Sequence, residues 1–174
     1  MLNTTLVNRS ALTLFARRLG GHLIDTALFY AVVWGTQFTF LRGMVQTSWS
    51  GFHFEAYLFT TITLPAILYY ALCESSPWQA TLGKRLLGLR VTDLAGRRLS
   101  ARRALLRALF RFLPFEIGHL TFAFPTPIWV NSQDFRIGFV IVLVALMLYL
   151  LAVFSNVRQQ SVHDLIAGTQ VARV

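Results

Sequence analysis

This sequence predicts an all-α membrane protein of about four transmembrane helices, the third weak or broken. Between spans two and three it predicts a cytoplasmic β-hairpin and a basic amphipathic helix. Three observations carry that prediction. The 174-residue chain is 55% hydrophobic with a mean hydropathy of +0.57, yet only 13% charged, whereas soluble domains average about 25% charged residues. Apolar stretches long enough to cross a bilayer recur along it, since ~20 residues span the ~30 Å hydrocarbon core. Its Lys and Arg residues concentrate in alternate connecting segments, as they do in multi-pass proteins. The length suits one domain, residues 1–174.

The first span is expected at Leu19–Leu41 and is read as retained, because its apolar run exceeds the ~7–15 residues of a signal peptide's core and no small-residue cleavage site follows. The second is expected at Phe54–Cys73, with Pro65 inside it; neighbouring helices or Thr side chains can satisfy the carbonyl that a proline frees. The third, Phe112–Val130, contains Glu116, His119, Pro114, Pro125 and Pro127, so a short, broken or re-entrant segment is expected there. The fourth, Phe135–Phe154, carries no charge beyond Arg136. Trp34, Trp49, Trp78 and Trp129 fall mostly near the proposed ends, as interfacial anchors do.

Orientation follows from the cations. Arg9, Arg17 and Arg18 precede span one, and the loop after it has only Arg42. Lys84, Arg85, Arg90, Arg97, Arg98, Arg102, Arg103, Arg107 and Arg111 lie between spans two and three, opposed by Glu74 and Asp93. The loop before span four holds Asp134 and Arg136, and the tail holds Arg158 and Arg173. The pattern is in–out–in–out–in, which puts both termini in the cytoplasm and requires an even number of spans. A net charge of +9 is thereby explained by topology. No stacking motif or nucleic-acid fold signature accompanies it, so no nucleic-acid partner is expected.

Within the basic segment, the stretch from Leu86 to Ser100 reads as a hairpin turning at Gly96. Ser100 is a plausible N-cap for the helix that follows. Arg103, Arg107 and Arg111 recur every fourth residue opposite Leu105, Leu106, Leu109, Phe110 and Leu113. Such a helix suits an anionic leaflet. Together with Lys84 and Arg85 it supplies candidate lipid or phosphate contacts; the alternative is topological anchoring alone.

Arg18, His22 and Asp25 share one helical face at spacings of four and three. Ionisable groups inside a span face a protein interior or a water-filled cavity and mark a candidate site. Arg18 and Asp25 are two turns apart, about 10 Å, too far for an ideal direct pair, so Arg18 is expected to reach Asp164. His22 with Asp25, and Glu116 with His119, have i,i+3 spacing. If spans one and three touch, these four residues form a relay or cation site, or a hydrogen-bonded pair stitching helices together. A di-metal site needs more carboxylates than this, so no metal is expected. His163 beside Asp164 lacks a nucleophile motif, the lone Cys73 permits no intrachain disulfide and sits among apolar neighbours, and the glycines make no P-loop. No catalytic residues, enzyme activity or cofactor are expected.

Three blocks lie in order along the chain: RLGGHLIDT from Arg18 to Thr26, TLGKRLLGLRVTD from Thr81 to Asp93 followed by GRRLS, and HDLIAGT from His163 to Thr169. Together they resemble the RDD family of small bacterial membrane proteins, named for one arginine and two aspartates. Carried over, the signature residues are Arg18, Asp25 and Asp164. Leu82 stands where proline is frequent, and Glu116 with His119 is a departure. The resemblance implies a compact helical domain in the bacterial cytoplasmic (inner) membrane, its last motif cytoplasmic. The function it implies is transport in general terms; the ionisable residues of this chain add the reading that a small cation or proton is moved or sensed, with Asp25 exchanging and His22, Glu116 and His119 as candidate relay residues. Four short helices are few for a transporter, so a homo-oligomer is expected. The alternative is a non-transporting accessory or scaffold subunit that binds a larger membrane complex or anionic lipid.

Overall fold

The computed structural model describes residues 2–40, 50–125, 127–128 and 135–174, with side chains in the first helix described from Leu12 to Thr39. The expected limits at Leu41 and Val130, the loop charges Arg42 and Asp134, the anchors Trp49 and Trp129 and the Arg9 side chain lie outside that set.

The chain is mostly helical. Helix α1 spans Leu2–Phe40, so it begins well before the expected span and carries Arg17 and Arg18 on the same rod as Asp25. Helices α2 (Gly51–Leu58) and α3 (Leu64–Ser75) are joined without a break by a π-helical turn, Phe59–Thr63. Pro65 explains the turn. A proline ring clashes with the carbonyl four residues back, and a wider turn relieves that clash. The Leu64 amide accordingly reaches back five residues, to the Phe59 carbonyl. This differs from the expected remedy: the Thr60 and Thr61 hydroxyls donate to the Ala56 and Tyr57 carbonyls, a turn earlier.

A short helix α4 (Leu82–Leu86) leads into strand β1 (Leu89–Asp93), and helix α5 runs over Ala101–Ala123. Helix α6 is Ile137–Ser155, α7 is Val162–Ala167, and strand β2 is Thr169–Arg173. Among the described residues two helices are long and apolar enough to cross a membrane: the continuous α2–α3 helix, 25 residues, and α6, 19 residues. Few of the α6 side chains are buried, so α6 is not the core helix of a soluble fold.

The expected hairpin is corrected. Its turn exists, with the Asp93 amide on the Arg97 carbonyl and Gly96 at φ +78°. The returning segment forms no strand, however, and β1 pairs antiparallel with β2 from the far end of the chain, Val91 opposite Val171. The alternation decides this: Leu89, Val91 and Val171 pack with Leu99 and Ala104 in one buried cluster.

The expected amphipathic helix and third span are also revised. They form one 23-residue helix, capped by the Ser100 side chain on the Arg103 amide, with Pro114 inside. The helix stops at Ala123, so among the described residues of the expected span only Phe112–Ala123 is helical. Arg136 caps that end, giving Nη1 to the carbonyls of Thr121 (2.7 Å) and Phe124 (3.1 Å); a cation at a helix C-terminus also meets the favourable end of the dipole. Gly138 lets α6 close on this corner, where any side chain would collide with Thr121.

Candidate functional site

Five helices converge on one buried charge network. Asp164 is the third residue of α7 and closes a capping box with Ser161, whose amide donates to Oδ2 at 3.1 Å. Arg18 from α1 places Nη2 2.5 Å from the same oxygen, the contact expected from the sequence, and gives Nη1 to the Gln159 carbonyl. Arg107 from α5 meets Oδ1 with Nη2 at 2.7 Å and Nε at 3.0 Å. Its Nη1 reaches Glu74, at the end of α3, at 2.5 Å. Lys84 from α4 pairs with the other Glu74 oxygen. Arg107, Glu74 and Asp164 are fully buried and Lys84 nearly so.

Burial alone would raise the Asp164 carboxyl; the guanidiniums of Arg107 and Arg18 outweigh it and hold the group well below the ordinary carboxylate range. Burial works against the charge on Arg107, yet Glu74 and Asp164 raise its pKa above the usual value. Burial pushes the Lys84 ammonium down to about 7; Glu74 opposes that shift, and Arg107 and Arg111 reinforce it.

Asp25 occupies a second, neutral-donor cradle. It accepts from the Tyr69 hydroxyl (2.9 Å), the Thr81 hydroxyl (2.5 Å) and the Gly83 amide (2.7 Å). Gly83 has to be glycine: a β-carbon would strike the Gly21 carbonyl and crowd Asp25 itself. The N-terminal and central motifs are therefore one interlocking unit, α1 seated on α4 through Gly21, Asp25, Thr81 and Gly83.

A third cluster lies between α1, α2–α3 and α5. Thr63, at the end of the π turn, donates to Glu116 at 2.6 Å and lies 3.2 Å from His119 Nδ1. Glu116 and His119 are 3.5 Å apart, each about one-fifth exposed, and Glu55 from α2 lies against Glu116. His22 and His119 line one cavity of about 90 Å³ walled by Ala66, Tyr70 and Phe112. His22 itself touches Tyr70 Oη (3.3 Å) and Arg111 (3.1 Å).

A family model described as the RDD family matches residues 12–168. The chain belongs to the RDD family. No curated protein and no solved structure matches it. In this RDD protein the expected four-residue convergence is split. His22 and His119 share a cavity and Glu116 sits beside it, while Asp25 is held on the other side by the central motif. The expected lipid contacts divide as well. Lys84 and Arg107 are buried on carboxylates; Arg111 is turned inward over the Tyr70 ring, 4.4 Å from its centroid; Arg85 stacks at 4.0 Å on exposed Trp78; Arg103 is exposed, 3.6 Å from Asp93. The leucine face of α5, with Leu105, Leu106, Leu109 and Leu113, is the exposed one.

Sequence reasoning missed Glu74, Arg107 as an ion-pair partner, Tyr69, Thr81 and Thr63. The S-x-x-D spacing of Ser161 and Asp164 was a readable sign that Asp164 begins a helix. Glu74, directly after the expected twenty-residue span Phe54–Cys73, was a readable sign of a buried partner. Among the described residues no group of three or more His, Cys, Asp or Glu side chains is placed to hold a metal.

Proposed function

We propose that this RDD protein crosses the bacterial cytoplasmic membrane four times with both termini inside, and that it moves a proton or small monovalent cation past the Glu116 cluster. Support for four spans comes from the even-span cation pattern of the sequence together with the two helices long and apolar enough to cross, α2–α3 and α6. The observation that carries the transport reading is the placement of Thr63, Glu116 and His119 in mutual contact beside a small cavity, with Glu55 against them. A hydroxyl, two carboxylates and an imidazole are oxygen and nitrogen ligands suited to a proton or a hard monovalent cation, and an intramembrane ionisable group is retained for such a task. The π turn that presents Thr63 is a feature that recurs at functional sites. Asp25 is assigned a positional role instead, because three donors already fill it.

The signature network then serves as the fixed cytoplasmic closure. The protein is read as a non-enzymatic carrier that works as a homo-oligomer among anionic lipids, without nucleic acid. A second reading is an accessory subunit of a larger membrane complex. It is favoured by the signature residues being engaged internally, Arg18 and Asp164 in ion pairs and Asp25 in hydrogen bonds, and by the unpartnered leucine face of α5.

Proteoliposome flux decides between them. The purified protein should drive proton movement against a sodium, potassium or lithium gradient between about pH 6 and 9, and Glu116→Gln should abolish it at unchanged abundance. A parent protein with no flux under any of these conditions would leave the accessory reading.

A further inference from the structure

Between the signature network and α6 lies a second cavity, of about 140 Å³. Arg18, Lys84, Arg107, Arg111, Ser161 and His163 line it. We infer that this cavity is a binding site for a phosphate-class oxyanion, either the phosphate of a lipid headgroup or free inorganic phosphate.

Two independent observations carry the inference. The first is charge. Four cations face the cavity, and only two carboxylates, Glu74 and Asp164, stand in ion-pair contact with them among the described residues. Arg111 has no carboxylate partner there; its guanidinium rests on the Tyr70 ring and on His22 Nδ1. Gathering unpaired positive charge away from water is unfavourable, and a doubly charged oxyanion balances the excess. Guanidinium groups are suited to phosphate because their fork matches two oxygens at once.

The second observation is His163. It is nine-tenths buried, and neither ring nitrogen has a hydrogen-bond partner. The nearest carboxylate oxygen, on Asp164, is 3.9 Å from Nε2, beyond hydrogen-bond range. Burial pushes its pKa well below the usual value; Asp164 opposes that shift, and Arg107, Arg111 and Arg18 reinforce it, so the ring stays neutral and keeps one N–H. A buried N–H with nothing to donate to is rare in folded proteins. The ring lines the cavity with both nitrogens covered, so a turn of the ring presents that N–H to an oxyanion that the free donors of Arg111 also reach. The apolar wall from Phe15, Leu19 and Val153 offers a lipid tail a place beside its headgroup, and basic pockets between cytoplasmic helix ends are known to take anionic headgroups.

His22 is a wall common to both cavities, but neither Thr63, Glu116 nor His119 lines this one, so failure of the transport proposal does not touch it. The test is binding to the purified full chain, delipidated in neutral detergent. One arm titrates inorganic phosphate calorimetrically; the other reads retention of short-chain phosphatidylglycerol against phosphatidylcholine by native mass spectrometry. Arg111→Gln is the deciding variant, because Arg111 makes no ion pair that the fold needs. At least one arm should bind, and Arg111→Gln should weaken it about ten- to a hundred-fold, the worth of one charged hydrogen bond. Exposed Arg85→Gln should leave it unchanged. In ligand-free detergent Arg111→Gln should melt no lower than the parent, since it removes an uncompensated cation. Phosphate binding alone identifies the free ion, and phosphatidylglycerol alone identifies the headgroup. No binding in either arm overturns the inference, as does equal weakening by Arg111→Gln and Arg85→Gln, or a lowered melting temperature for Arg111→Gln without ligand.

Discussion

The charges at the two ends of α1's polar face are held in opposite ways. At the signature end, Asp164 accepts from Arg18, two Arg107 nitrogens and the Ser161 amide, and Glu74 is gripped by Arg107 and Lys84. Deeper along the bundle, Glu116 and His119 are partly exposed, share one threonine hydroxyl and face a cavity. A charge filled on every side fixes geometry and has little freedom to exchange. A charge with no fixed cation against it and room beside it can bind and release. On the proposed reading the contrast gives architecture to the first region and chemistry to the second, although both read in sequence as ionisable residues in apolar surroundings.

The largest effect that would break this contrast is at Arg107. It joins α3, α5 and α7, and its removal strands two buried carboxylates. Arg107→Ala should lose about 3–5 kcal/mol of stability, read as a collapse of membrane abundance and of the melting temperature in detergent. A folded, abundant Arg107→Ala protein would mean that the network is not what holds the helices.

Next is Asp25. Replacing it with Asn turns one accepting oxygen into a donor facing Tyr69, Thr81 or the Gly83 amide, so Asp25→Asn should cost about 1–3 kcal/mol, measured as a lowered melting temperature.

Acid sharpens the contrast with an intermediate effect. Because the folded Asp164 carboxyl titrates well below its unfolded value of 3.8, its stabilisation is fully present above that value and is lost as pH falls through the folded one. The melting temperature should therefore hold down to about pH 5 and fall below about pH 4. Asp164→Asn, less stable at neutral pH, should show a shallower decline.

Thr63→Val is the smallest. One part-buried hydroxyl contact is worth about 0.5–1.5 kcal/mol, so the melting temperature should shift slightly while flux falls sharply. A large stability loss with normal flux would move Thr63 to the architectural side.

Legibility in sequence followed the same division. The Arg18–Asp164 contact could be anticipated because guanidinium–carboxylate geometry and the order of the motifs left few other partners. The Ser100 cap and the limits of α6 were local and readable. The inward turn of Arg107 was not: a row of arginines every fourth residue is identical in sequence whether it faces water or buried carboxylates, and only Glu74 and Asp164, 33 and 57 residues away, decide it. The β1–β2 pairing failed for the same reason, since residues 89–93 meet residues 169–173 and a near turn at Gly96 offered a local alternative. The cradle around Asp25 was not legible because its donors, Tyr69, Thr81 and the Gly83 amide, carry no charge and leave no pattern.

The most direct test sets Asp25→Asn beside Glu116→Gln in one preparation, reading melting temperature and ion flux per folded molecule together. The account predicts a destabilised Asp25→Asn protein that retains flux per folded molecule, and a Glu116→Gln protein of nearly parental stability with none. An Asp25→Asn protein of parental stability without flux, beside a Glu116→Gln protein that still transports, would contradict it.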